Sequence, residues 1–239
     1  KALADLNGNT NEFRLSEERS FIEGMNQAFA RALFYSSEAS NPEQITGFSP
    51  RYSTRVVANA ENADNVLHGG GSGATKTSIW LICWSPTTVH GFFPKGSTAG
   101  LKHEDKGQVT IENVDGNGGR MEAYRSHYRW DVGLSVRDWR YAVRIANVDT
   151  AALTKGATSG ADLIDLMTQA IEILPALGMG RPVFYCNRTI RSFLRRQIAN
   201  KVAASTLSID TVAGKKVIGF DGIPVRRVDA LLNTETTVV

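Results

Sequence analysis

Residues 124–147 read YRSHYRWDVGLSVRDWRYAVRIAN. Tyr128, Trp130, Val132, Leu134 and Val136 fall on even positions, whereas Trp139, Tyr141, Val143 and Ile145 fall on odd ones. Period-two alternation of this kind predicts long strands with one buried and one polar face. The parity changes near Arg137–Asp138, which predicts a bulge or bend there. The polar positions carry Arg125, Arg129, Arg137, Arg140 and Arg144. The aromatic positions are expected to form core. The arginine face is expected to be solvated or to meet a partner, because Tyr, Trp and Arg are enriched at interface centres.

A chain of 239 residues can bury a substantial core as one large domain or two smaller ones. A net charge of +3 is too mild to argue for nucleic-acid binding by itself. Apolar runs such as residues 79–84 are far too short to span a membrane, and no signal peptide is visible. Cys83 and Cys186 lie in strand-like runs and read as buried thiols, with a disulfide as the alternative. Buried reduced thiols imply intracellular synthesis. The chain begins with Lys1 rather than Met, as expected of a fragment, a processed product or part of a longer chain.

Outward from the aromatic block, residues 1–15 are polar and predict loop. Ser16 reads as an N-cap, and Phe21, Ile22, Met25, Phe29, Ala32 and Leu33 form the stripe of an amphipathic helix over residues 17–35. Residues 36–78 are irregular. Residues 79–84 and 88–93 predict a hairpin, 94–106 a charged loop, and 108–113 and 120–130 two strands around the Asp115–Gly119 turn. Farther on, Ser159 to Asp162 resembles a capping box for an apolar helix that ends before Pro175. Residues 182–186 predict a strand, and Asn187 caps a second helix. Residues 215–220 and 223–228 pair around Asp221–Gly222.

No residue set carries convincing catalysis. The run HGGGSGATKTS (68–78) lacks the Gly that a phosphate loop places before its Lys, and a strand rather than a helix follows, so it predicts a mobile surface loop. His103–Glu104–Asp105 are adjacent on an expected loop and do not converge as metal ligands do. No Gly-x-Ser-x-Gly elbow occurs. No catalytic residue, cofactor or metal is expected. The second helix differs: Arg188, Arg191, Arg195, Arg196 and Lys201 are positive with no acid among them. Arg188, Arg191 and Arg195 share a face, which suits phosphate, a neighbouring subunit's carboxylates, or plain solvation.

Four segments, taken in order, carry a resemblance. They are KALADLNGNTNEFRLSEERSFIEGMNQAFARALFY (1–35), SIWLICWSPTTVHGFFPKGSTAGL (78–101), YRSHYRWDVGLSVRDWRYAVRIANVD (124–149) and GFDGIPVRRVDAL (219–231). Together they resemble the major capsid proteins of tailed double-stranded-DNA bacteriophages, in a podovirus-type branch. The resemblance implies an α+β chain with the Hong Kong ninety-seven-like capsid fold. It implies an N-terminal segment and spine helix over 1–35, and an irregular segment and hairpin over 36–106. Peripheral long strands with a helix would cover 107–181, and a mainly axial domain 182–239. That family carries an N-terminal arm and extended loop before the spine helix, where this chain has residues 1–16. A chain without those elements is expected not to close a shell alone.

The implied function is an icosahedral shell around the phage genome, built from hexamers and pentamers of the chain itself. Scaffolding, portal and decoration or cement proteins would be partners, packaged double-stranded DNA would be met without sequence preference, and no membrane is involved. The location is the virion, after assembly in the bacterial cytoplasm. Arg125, Arg129, Arg137, Arg140, Arg144, Arg188, Arg191, Arg195 and Arg196 are the candidates to face a neighbouring subunit or DNA. The rival expectation is a non-sequence-specific nucleic-acid-binding module built from interleaved Arg and aromatic residues.

Overall fold

A computed structural model describes residues 1–6, 8–153, 160–199, 207–212 and 215–239. The described residues form two compact units, residues 1–29 with 91–133 and residues 30–90 with 134–239. The boundary at 133/134 cuts through the expected 107–181 block. The strands and helix after residue 134 share a unit with 182–239, not with the long hairpin.

The first unit is a helix laid on a two-stranded ribbon. Its helical parts are α1 (Ala2–Asp5) and most of α2 (Thr10–Tyr35). The helix begins six residues before Ser16, which therefore lies inside it rather than capping it. Phe13 N–H donates to the Asn9 carbonyl at 3.2 Å, and the Asn9 side chain contacts Glu12. Residues 10–16 are helical because their side chains are used on the ribbon, and such tertiary contacts override a local cap preference. The helix ends at Tyr35 as expected. The ribbon pairs β4 (Leu101–Glu112) with β5 (Arg120–Trp130), antiparallel, from Leu101↔Trp130 to Glu112↔Arg120. Residues 101–106 are thus strand, not charged loop, and the register slips between Asp105 and Gln108, where Gly107 has φ 68°.

The second unit is built on a mixed sheet. Its further elements, in chain order, are α3 (Phe48–Arg51), β1 (Val66–His68), β2 (Lys76–Trp84), β3 (Val89–Phe92), β6 (Gly133–Val136), β7 (Ala142–Asp149), α4 (Leu163–Ile173), β8 (Arg181–Cys186), α5 (Arg188–Ala199), β9 (Leu207–Val212), β10 (Lys215–Phe220) and β11 (Ile223–Arg227). The order across the sheet is β1-β7-β2-β8-β11-β10-β9. The expected hairpin over 79–93 is absent, because Trp84 and Val89 make a single parallel pair after the Ser85–Thr88 turn. The change of parity near Arg137 is a bend, made by a 3-10 turn at Trp139–Tyr141 that Asp138 caps by accepting from Arg140 N–H. The hairpin β10–β11 turns through Asp221 and Gly222 as read.

One face of this sheet packs α4 and α5 through Leu163, Met167, Ile190 and Leu194 onto Ile79, Leu81, Val143, Ile145 and Phe184. The other packs Phe34, Phe48, Tyr52, Leu231 and Val238 onto Trp80, Ile82, Ala142 and Ala146. Asp162 caps α4, and Asn187 caps α5 by accepting from Ile190 N–H at 2.9 Å. Ser159 of the expected capping box, and Lys201 of the basic helix, lie outside the described residues. Cys83 and Cys186 are free and buried; burial pushes the Cys186 thiol up to about 12.

The glycine run at 69–73 is a strap packed against the end of β7, not a phosphate loop. A Cβ on Gly71 would stand 2.6 Å from the Asn147 carbonyl oxygen, and one on Gly69 2.9 Å from Val148. Lys76 is buried in β2 and donates to the Gly73 carbonyl at 2.6 Å.

β7 is covered on both faces, so Arg144 does not project to a partner. Its side chain is 3% exposed and pairs with Glu235, 5% exposed, at 2.8 Å. The guanidinium also donates to Ser78 Oγ at 3.0 Å and to the Tyr52 carbonyl at 2.8 Å, and lies 5.1 Å from the Trp80 ring centroid. Removing one member of such a pair leaves an uncompensated buried charge, which costs about 3–5 kcal/mol. In urea titrations of the purified chain, Arg144→Ala and Glu235→Ala are each expected to lose stability of that size. Arg140→Ala, which removes the exposed partner of Asp138, is expected to leave the midpoint unchanged.

Candidate interaction surfaces

In the first unit, β5 presents two different faces. Tyr124, Ser126, Tyr128 and Trp130 are half-buried, while Arg125, His127 and Arg129 are exposed. The half-buried face is held by the helices. Tyr124 Oη donates to Asp5 at 3.0 Å, Tyr128 Oη donates to Glu18 at 2.6 Å, Ser126 bonds Glu18, and Phe29 stacks on Trp130 with centroids 4.5 Å apart. Arg14 grips Asp105 with two nitrogens at 2.9 and 2.7 Å and lies 5.1 Å from the Tyr124 ring centroid. His103 stacks on Tyr128 at 4.8 Å from within β4, so the His103–Glu104–Asp105 run is ribbon structure. Among the described residues no group of His, Cys, Asp or Glu is placed to hold a metal. No helix of the described residues is long and apolar enough to cross a membrane.

The same unit leaves apolar surface uncovered. Leu3, Leu15 and Phe21 are 70%, 61% and 68% exposed, and Ile111, Val114 and Met121 are exposed along the ribbon. A cavity of about 630 Å³ opens among them, lined by Leu3, Phe13, Phe21, Met25, Met121 and Tyr124 with others. Exposed apolar surface gathered in one region marks an interaction site rather than a solvent face.

In the second unit, α5 carries its arginines outward. Arg188, Arg195 and Arg196 are exposed and Arg191 is half-buried. With Ser192 and Arg227 of β11 they line a cavity of about 430 Å³. Among the described residues one carboxylate serves this cluster: Asp229 receives Arg188 at 3.2 Å and Arg227 at 3.1 Å. Arg196 lies over the Phe193 ring at 4.1 Å. Arg191 Nε is buried without a hydrogen-bond partner among the described residues. Arg129 pairs with its neighbour Asp131, and Arg137 is exposed. The structure therefore gathers Arg188, Arg191, Arg195 and Arg196, leaves Arg125, Arg129, Arg137 and Arg140 dispersed, and buries Arg144. Sequence reasoning missed Arg227 as a member of the cradle and Glu18, Arg14 and Asp105 as the clamps of the ribbon.

A spine-like helix on a long ribbon, a mixed sheet flanked by helices, and exposed basic and apolar surfaces are the features of a shell-building protein. The family model for major capsid protein GP7 matches residues 1–239, and the chain belongs to that family. The chain is also similar to one in the near-atomic structure of bacteriophage epsilon15, derived from cryo-EM and modelling. The two are 38% identical with a TM-score of 0.72, covering 100% of this chain and 71% of that one. No curated protein sequence matches it. The fold is thus α+β and Hong Kong ninety-seven-like, and the protein is a structural, shell-forming component of a bacteriophage virion capsid.

The Arg14 contact holds the Asp105 carboxyl at about 2, below its ordinary 3.8. Glu18 is also lowered, by Ser126 first and Tyr128 second. Depressed carboxyl groups favour the folded form above their unfolded values, and that contribution disappears as pH falls through the folded ones. The helix–ribbon clamp is expected to hold at neutral pH and to weaken between about pH 4 and pH 2. In Arg14→Ala, the Asp105 titration is expected to move up from about 2 toward its ordinary 3.8 without reaching it, because Gly107 N–H still donates to the carboxylate at 2.9 Å; its side-chain carboxyl carbon shift by NMR reads the change.

Proposed function

We propose that copies of this chain assemble into hexamers and pentamers of an icosahedral shell that encloses the double-stranded DNA of the phage. The observation that carries this is the first unit. A two-stranded ribbon is marginal in water by itself. This one is held by α1 and α2 and still exposes Leu3, Leu15, Phe21 and Met121. Its missing cover is supplied by neighbouring copies. Each contact is modest, and repetition around a closed lattice makes the sum large.

On this reading the first unit corresponds to the peripheral domain and the second to the axial domain. Exposed Arg125, Arg129, Arg137 and Arg140 serve subunit boundaries or the phosphates of packaged DNA, without sequence preference. Scaffolding, portal and decoration or cement proteins complete the particle, which forms in the bacterial cytoplasm. The role involves no catalytic turnover and no cofactor. The rival nucleic-acid module is disfavoured because Tyr124, Tyr128 and Trp130 are occupied by Asp5, Glu18 and Phe29, and bases would have to displace those partners.

Sedimentation and negative-stain microscopy of the protein expressed with its assembly partners are expected to show large closed particles. Phe21→Asp, which puts a charge on the uncovered face, is expected to cut particle yield severalfold while circular dichroism stays unchanged. A chain that remains monomeric at high concentration with its partners would contradict the proposal, as would normal particle yield from Phe21→Asp.

A further inference from the structure

The second unit carries opposite charge on its two flanking helices. α5 reads RTIRSFLRRQIA, four arginines and no acid. α4 reads LIDLMTQAIEI, with Asp165 and Glu172 and no Lys or Arg. The helices pack on one face of the sheet, but at different places: α4 lies against β7 and α5 against β11 and β9. In the order β1-β7-β2-β8-β11-β10-β9, those positions fall on opposite sides of the β2–β8 centre. Each copy therefore offers an acidic flank on one side and a basic flank on the other.

The spacing matches as well. Asp165, Gln169 and Glu172 are exposed along one side of α4, at i, i+4 and i+7. Arg188, Arg191 and Arg195 run along α5 at i, i+3 and i+7. Among the described residues Asp229 is the one carboxylate paired in the arginine cradle, and it is shared by two guanidinium groups. Arg191 Nε is buried with no acceptor among the described residues. Among the described residues Arg191, Arg195 and Arg196 have no carboxylate partner, and Arg forks take carboxylates bidentately. Glu172 has no ion-pair partner among the described residues.

We infer that the α5 cradle receives the acidic side of α4 from the next copy of the chain, in a head-to-tail contact that closes a ring. The inference rests on the shell reading above and deepens it by naming the two surfaces that meet. The contact is heterologous, because one patch binds a different patch, and heterologous contacts generate rings when the rotation closes. Charge complementarity of this kind fixes register and suppresses wrong docking, since two α5 faces or two α4 faces repel.

The test uses assembled particles. Glu172→Cys with Arg195→Cys, oxidised mildly, is expected to give a ladder of covalent oligomers ending at five and six copies, whereas neither single variant gives one. Arg188→Glu with Arg195→Glu is expected to lower particle yield at least tenfold. Adding Asp165→Lys with Glu172→Lys to the same chain is expected to restore it, which separates lost docking from lost folding. Normal particles without the double-cysteine ladder overturn this inference alone. So does a ladder or dimer from Arg195→Cys by itself, which would place α5 against α5. Particles that form normally with the reversed α5 but lose packaged DNA also overturn it, since the cradle would then serve phosphate. If the unsubstituted chain forms no particles with its partners, the shell reading fails and this inference with it.

Discussion

The buried pair between Arg144 and Glu235 is the constraint around which the larger unit is organised. Glu235 accepts from Arg144 and from Ser78, and the Tyr35 hydroxyl bonds its other oxygen. Arg144 reaches the backbone of Tyr52 as well. One ion pair thus ties together β7, β2, the end of α2, the segment after α3 and the C-terminal stretch. The Tyr35 hydroxyl is pushed above its ordinary range, by burial first and by the Glu235 charge second, so it stays a donor. A buried pair of this kind is not the most stabilising way to fill a core. Here it specifies register: any arrangement that misplaces residue 235 strands a charge beside Trp80.

The C-terminal stretch is held by more than that pair. Val238 N–H donates to Asn147 Oδ1 at 2.9 Å while Asn147 Nδ2 donates to the Val238 carbonyl at 2.8 Å, and Glu235 N–H donates to the Lys76 carbonyl at 2.9 Å. Asn147 has φ 57°, a left-handed conformation that Asn tolerates better than most side chains. The glycine strap at 69–73 lies on the same end of β7, where side chains would collide with the 147–149 backbone. The polar composition of residues 68–78 suggested mobility, yet composition cannot report that a second strand's backbone runs 3 Å away. The first unit is organised differently. It has a clamp of exposed and half-buried polar contacts where the second has a deep core, which suits a surface completed by other chains.

Much of the fold was legible where periodicity and local chemistry agree. The ribbon turn at residues 115–119, the α5 cap at Asn187, the Asp221–Gly222 hairpin and the bend after Arg137 are all local signals that the structure honours. The failures share a cause. Arg144 sits in a period-two pattern that looks half-exposed, but its counter-charge is 91 residues away in sequence. Ser16 looks like a cap because the contacts that extend α2 toward Thr10 come from Asp105 and Ser126. Residues 101–106 look like a loop because β4 faces solvent and carries charge rather than alternating apolar residues. The clustering of Arg227 with the α5 arginines depends on β11 running parallel to β8, a topological fact with no local signature.

Net charge hides what matters for assembly. The value of +3 suggests a nearly neutral surface, yet it averages an all-basic helix with an acidic one on the same sheet. A shell subunit gains from that separation. If charge were mixed evenly over both flanks, many docking angles would have similar energy, and rings of the wrong size would compete with the right one. In the proposed head-to-tail contact, segregated flanks would penalise inverted docking by like-charge contact, while the exposed ends of the arginines would keep each contact weak and salt-sensitive enough to be reversed. Reversibility is what lets a misplaced subunit leave before the lattice closes around it. The deep pair at Arg144 and Glu235 is of the opposite kind, shielded from water and salt inside one subunit, and the contrast in burial between the two sets of arginines is the physical basis of that division.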